Sequence, residues 1–167
     1  MRSLASFESA RAELVSAVLA DAESRTIAPF PVPQDSAPST LAELTLALGT
    51  MRPWRGRLPI PVSRDYCDRT IWPSPFANMT FRAWHDVVGH YLPRNEMDGP
   101  GEVLACEAGI RALWRLSDDA RRLMRIEVVG LWRAFDAWGA FPADQLTYVH
   151  AAWRNGIRSA IERGAGR

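Results

Sequence analysis

The stretch Phe81-Arg82-Ala83-Trp84-His85-Asp86-Val87-Val88-Gly89-His90 decides how this chain is read. It holds two of the three histidines in the sequence, each in an apolar setting, and an acid follows the first. Neutral imidazole is the commonest metal ligand and the usual acid–base group near physiological pH. His85 and His90 are five residues apart, which puts them about 140° apart around a regular α-helix. Either the helix distorts at Gly89, or His90 sits at the helix end and its ring swings back. The His-Glu-x-x-His zinc signature is different, because its histidines are four apart.

Outward from this stretch the pattern is helical almost to the C-terminus. Thr80 is the expected N-cap of a helix over 81–91, which Pro93 and Asp98-Gly99-Pro100-Gly101 should end. A second helix is expected over 102–116, with Glu102 in its first turn, where the dipole favours an acid. Ser117 should cap a third over 118–138, closed by Gly139, and a fourth should run from near Pro142 to about 162. Short links between four helices favour an antiparallel, bundle-like α domain.

Upstream, Leu4, Phe7, Leu14, Val15, Val18 and Leu19 mark an amphipathic helix over 4–20, with Ser6 as a candidate cap. Pro29, Pro31, Pro33 and Pro38 predict an extended connector over 26–40 rather than a helix or a central strand. Thr40 and Glu43 form a capping-box pattern for a short helix that Gly49 should stop. The prolines at 53, 59, 61, 73 and 75 predict a wrapping arm with short extended pieces at 58–62 and 70–72. The expected fold class is therefore mainly α: a compact, bundle-like helical domain with a Pro-rich extended N-terminal arm. One domain over 1–167 is expected, with the N-terminal helix and wrapping segment in 1–78 and a metal-site core in 79–163.

Composition sets outer limits. A chain of 167 residues, 47% hydrophobic and 23% charged, suits one soluble domain with a real core. The net charge of +1 argues against a global field for nucleic acid or membrane. Arginines 52, 55, 57, 64 and 69 with Trp54 and Trp72 could contact nucleic acid, but no recognition motif accompanies them. A solvated arm with core-covering tryptophans is the simpler reading. Cys67 and Cys106 read as free thiols in a reducing cytosol. No apolar run reaches membrane-span length, and with no continuous apolar stretch before Glu8 a signal peptide is not expected. The expected location is cytoplasmic, with a small-molecule substrate as partner; an oligomer is left open.

Glu127 sits in Arg125-Ile126-Glu127-Val128-Val129-Gly130, with apolar neighbours on both sides. A carboxylate there is costly to bury unless it is paired or binds metal. Two histidines and one carboxylate from separate helices make the facial triad of non-haem Fe(II) oxygenases. The plainer alternatives are a pair of mutually satisfied core histidines and a Glu127 salt bridge with Arg125. A ferritin-like di-iron centre would need Glu-x-x-His pairs, and none of His85, His90 or His150 has one. An HD-type phosphohydrolase would need a further histidine before His85, and none exists. His150 reads as structural or exposed. Tryptophans 84, 114, 132, 138 and 153 read mostly as core.

The pattern Phe81-Arg82-x-x-His85-Asp86-x-x-Gly89-His90, Gly101-Glu102-x-x-Ala105, Glu127-x-x-Gly130 resembles a family of short phage and bacterial proteins of unassigned activity. The same segment is similar to the iron centre of the pterin-dependent aromatic amino acid hydroxylases. Those enzymes carry His-Glu-Leu-Leu-Gly-His, then Glu-x-Gly, then an iron-binding glutamate in a Glu-x-Gly-Leu context. The matching positions are His85, Asp86, Gly89 and His90, then Glu107 and Gly109, then Glu127 with Leu131. The resemblance implies iron on His85, His90 and Glu127. It covers residues 80–131. Asp86 stands in place of glutamate, two valines follow Glu127, and the pterin pocket has no counterpart, so no pterin is expected. Asp86, Glu102 and Glu107 are the candidate catalytic residues, orienting ligands or moving protons. Glu102 could also be a fourth ligand. The expected function is that of a mononuclear Fe(II) oxygenase or hydroxylase. The alternatives are a zinc hydrolase on the same triad, with Glu102 as base, or a non-catalytic binding protein.

Overall fold

The computed structural model describes residues 3–167, so Arg2 lies outside the described residues. The chain is mainly helical. α1 (Leu4–Ser24) is followed by β1 (Ile27–Val32), a 3-10 turn (Gln34–Ser36), α2 (Leu41–Thr50) and β2 (Leu58–Ser63). α3 (Pro75–His85) runs straight into a π-helical segment, Asp86–Tyr91. α4 (Gly99–Ala112) and α5 (Asp118–Arg125) come next. α5 passes through a second π segment, Ile126–Gly130, into α6 (Leu131–Trp138), and α7 (Gln145–Asn155) and α8 (Ile157–Glu162) finish the chain.

The helix starts follow local chemistry. Ser3, Thr40, Ser74, Asp98, Ser117 and Asp144 each accept a backbone N–H three residues on. Thr40, Ser117 and the left-handed Gly139 stand where the sequence places them. Other expected boundaries move. α2 runs through Gly49 to Thr50 and is capped at Met51, and α4 ends at Ala112, short of 116. Ser3 caps α1, and Ser6 supplies the N–H that Ser3 accepts. α3 begins six residues before Phe81, because Ser74 caps it and Pro75 fits the first turn, where no N–H is needed. Thr80 is inside that helix, its hydroxyl donating to Phe76 O. α4 begins at Gly99, so the Gly-Pro-Gly run opens a helix instead of separating two. The last expected helix is two, broken at Gly156 with φ 90°.

The Pro-rich arm is not an arm. β1 and β2 pair in parallel, Ile27 opposite Leu58 through Val32 opposite Ser63. Leu58 N donates to Thr26 O and Arg64 N donates to Val32 O, so the even-numbered residues of both strands face each other. Pro29, Pro31, Pro59 and Pro61 are all odd. Their missing N–H groups fall on the outer edges of a two-stranded sheet, where no ladder bond is lost.

The core runs through Phe7, Leu14 and Val18 of α1, Leu44 of α2, Ile60 of β2, Trp84 of α3, Leu123 and Met124 of α5, and Tyr148 and Trp153 of α7, all essentially inaccessible. α1 packs on α3 and α5. Trp84 and Trp153 are core as expected, whereas Trp114 is exposed. Trp72 covers the core and Trp54 does not. Arg57 and Arg69 of the basic stretch pair with Glu23 and Asp144. Cys67 and Cys106 are buried free thiols. No helix among the described residues is long and apolar enough to cross a membrane.

Candidate metal centre

The π segment resolves the spacing of the two histidines. Leu92 N donates to Val87 O and Asn95 N to His90 O, both five residues back. A backbone bonded i to i+5 stacks residues five apart, which an α-helix does not. His85 and His90 consequently meet, Nε2 to Nε2 at 3.1 Å, with their rings perpendicular. Gly89 serves close approach. A Cβ on it would fall 2.9 Å from Ala105 Cβ and 3.2 Å from Ala105 O. That contact lets α4 lie against the π segment.

α4 in turn delivers Glu102. Asp98 caps it, accepting from Gly101 N at 2.7 Å. Gly101 is required there, since a Cβ would sit 1.8 Å from Glu96 O. The Glu102 carboxylate closes on both rings, 3.1 Å from His85 Nε2 and 3.4 Å from His90 Nε2. His85, His90 and Glu102 thus form a group that could hold a metal ion, with one ligand atom from each within 4.8 Å of the others.

The spacing suits a metal. Bonds of about 2.1 Å put neighbouring donor atoms about 3.0 Å apart at right angles and about 3.4 Å apart at the tetrahedral angle. The tautomer suits it too. His90 Nδ1 lies 3.2 Å from Asn95 O and 3.0 Å from Glu96 O, and two carbonyls demand a donor. The proton of neutral His90 is therefore on Nδ1, and Nε2 offers its lone pair. Asn95 steadies this loop by donating from Nδ2 to Gly89 O.

The three groups also shift one another's protonation. Burial disfavours the His90 cation, but Glu102 and Asp86 outweigh burial and raise its pKa. Burial pushes Glu102 up, yet hydrogen bonds from His85 and His90 hold it at about 2. Asp86 is raised to about 6, chiefly by burial, with the two histidines pulling the other way.

Glu127 is placed by the second π segment but lies outside the three-residue group. It is buried, 4% exposed, and Trp72 Nε1–H donates to its Oε1 at 2.9 Å. Its Oε2 has no partner. Burial raises its pKa to about 7, against the Trp72 hydrogen bond and the Arg82 charge. The salt bridge weighed for Glu127 belongs instead to Glu107, which accepts from Arg125 at 2.7 and 3.2 Å on the surface of α4. Tyr148 reaches the second π segment, its hydroxyl donating to Gly130 O at 2.7 Å. His150 is packed edge-on against Phe7, as a structural histidine would be.

A cavity of about 230 Å³ joins these parts. His85, Asp86, Glu102 and Glu127 all line it, while Glu107 does not. Phe81, Leu131, Trp132 and Phe141 give it an apolar wall. Asn78 also lines it, 2% exposed, with Nδ2 unpartnered. Sequence reasoning passed over Asn78, and it read Trp72 as a core-covering tryptophan and not as the partner of Glu127. Asn78 carried a signal, since it precedes His85 by seven residues, two turns on the same face. The pairing of Trp72 with Glu127 carried none. No family model matches the chain, and comparison with curated proteins and with solved structures returns no significant match.

Proposed function

We propose that the protein is a mononuclear non-haem Fe(II) oxygenase acting on a small organic substrate, with His85, His90 and Glu102 as the metal-binding triad. The carrying observation is the convergence of the three side chains beside a cavity with an apolar wall. Glu102 takes the carboxylate position that the resemblance assigned to Glu127. His85, His90 and Glu102 would hold Fe(II), which would supply the site with redox chemistry toward oxygen. The chain supplies the rest. Asn95 O and Glu96 O orient His90. Asp86 lines the cavity next to His85, and burial raises its pKa to about 6. Phe81, Trp132 and Phe141 give the substrate space an apolar face.

The same donor set, two histidines and a glutamate, is also that of zinc hydrolases. The position of Asp86 fits this second reading: it lines the cavity with His85 and Glu102, where a carboxylate raised by burial suits a general base. In that case Asp86, not Glu102, is the base. Anaerobic reconstitution with Fe(II) or Zn(II), followed by metal analysis and oxygen uptake on a substrate panel, tests both. About one iron per chain with substrate-dependent oxygen uptake supports the oxygenase. Tight zinc with no oxygen uptake supports the hydrolase. Neither metal retained would overturn both.

A further inference from the structure

The cavity has a second polar feature that the metal centre does not use. Asn78 of α3 and Glu127 of the second π segment both line it, both are more than nine-tenths buried, and each has one atom without a partner. The atoms are complementary: Asn78 Nδ2 is a donor and Glu127 Oε2 an acceptor. Leaving either unpaired costs about 1–3 kcal/mol, so a buried orphan donor and a buried orphan acceptor on one cavity call for a ligand. Glu127 cannot turn away to water, because Trp72 holds its other oxygen.

We propose that this part of the cavity recognises an amide group, –CO–NH–, on the substrate, whose N–H donates to Glu127 Oε2 and whose carbonyl accepts from Asn78 Nδ2. An ammonium has only donors and would leave Asn78 Nδ2 unmet. A carboxylate has only acceptors and would face Glu127 with like charge. A hydroxyl can do both only through one oxygen, whereas the two orphan atoms come from different helices. The volume of about 230 Å³ is below the roughly 300 Å³ at which ordinary ligand pockets begin, so the ligand is of single-ring size. Phe81, Trp132 and Phe141 suit an apolar or aromatic body beside the amide. The proposal rests on reading the cavity as the substrate space of the metal centre, but the binding it describes does not require the metal.

The test uses the full chain, chelator-treated, with benzamide, benzylamine, benzoate and benzyl alcohol as probes, titrated by NMR above the Glu127 titration. Benzamide should bind about tenfold tighter than each of the others. In Glu127→Gln the single side-chain oxygen is claimed by the Trp72 N–H, which turns an NH₂ into the cavity. That variant should lose benzamide about tenfold and bind benzoate better than wild type does. Asn78→Leu, a second variant, should lose benzamide while keeping benzylamine. Equal or tighter binding of benzylamine or benzyl alcohol, unchanged benzamide binding in both variants, or no probe bound at all would each overturn the proposal. Metal content measured on the same proteins after separate anaerobic reconstitution with Fe(II) separates the two readings. Failure of wild type to retain iron, with the benzamide preference of the chelated protein intact, removes only the metal centre. Iron lost specifically in a folded Glu127→Gln makes Glu127 a ligand and overturns the amide site.

Discussion

His85 and His90 stand with their Nε2 atoms 3.1 Å apart, because the backbone that leaves His85 is π-helical from Asp86 to Tyr91. The residues are five apart in sequence and one π turn apart in space. Glu102 then reaches both from α4. His85→Ala, His90→Ala and Glu102→Ala should each lose bound metal, whereas Glu107→Ala should retain it. Glu107 spends its carboxylate on Arg125 at the surface, a pair worth no more than about 1 kcal/mol. Metal analysis of refolded, desalted protein checks this, and retention of metal in Glu102→Ala would refute the assignment.

Replacing Gly89 by alanine should destabilise the protein. In an open helix the same change stabilises by about 1 kcal/mol, so the sign is diagnostic. Here the added methyl meets Ala105 Cβ at 2.9 Å and His85 Nδ1 at 3.2 Å. Overpacking of this kind costs about 1–3 kcal/mol, and α4 with Glu102 should be pushed outward. Urea denaturation gives the stability, and metal titration should show weaker binding in the same variant.

Glu127 makes stability fall with pH. Its pKa rises from 4.5 unfolded to about 7 folded, so the native state binds more protons between those values. Stability is therefore greatest near the lower limit and declines as pH rises through about 7, by roughly 3 kcal/mol. Asp86, raised to about 6, acts in the same direction. Glu127→Gln should remove the Glu127 part and leave a shallower decline. Urea denaturation of the chelated protein across this range measures it; identical slopes in both proteins would contradict the burial argument.

Asp98→Ala should cost about 1 kcal/mol, since its side chain caps α4. It should also weaken metal binding without removing any ligand, because Glu102 is in the turn that the cap holds. Asp98→Asn or Asp98→Ser should restore much of both. A variant that loses stability and keeps full metal affinity would show that the first turn of α4 is held by packing alone.

Much of the helical part of the fold was legible in the sequence, because helix boundaries are set by atoms three or four residues apart. Thr40 caps α2, Ser117 caps α5 and Gly139 ends α6 where composition alone puts them. His85 and His90 were legible as a candidate pair for the same reason of proximity, and Gly89 as the place where the helix departs from α. The tertiary structure decided what lies across long stretches of chain. Prolines that forbid a central strand are compatible with two outer edges, but only pairing of β1 with β2 reveals which edges exist. Three downstream carboxylates, Glu102, Glu107 and Glu127, could complete the site, and Glu107 pairs with Arg125. Glu102 reaches the histidines because Gly89 and Gly101 let α4 and its preceding loop pack closely, while Glu127 is drawn to Trp72, 55 residues away. Local spacing holds no information about such a choice, since it depends on which helix can approach another, and that is settled by packing.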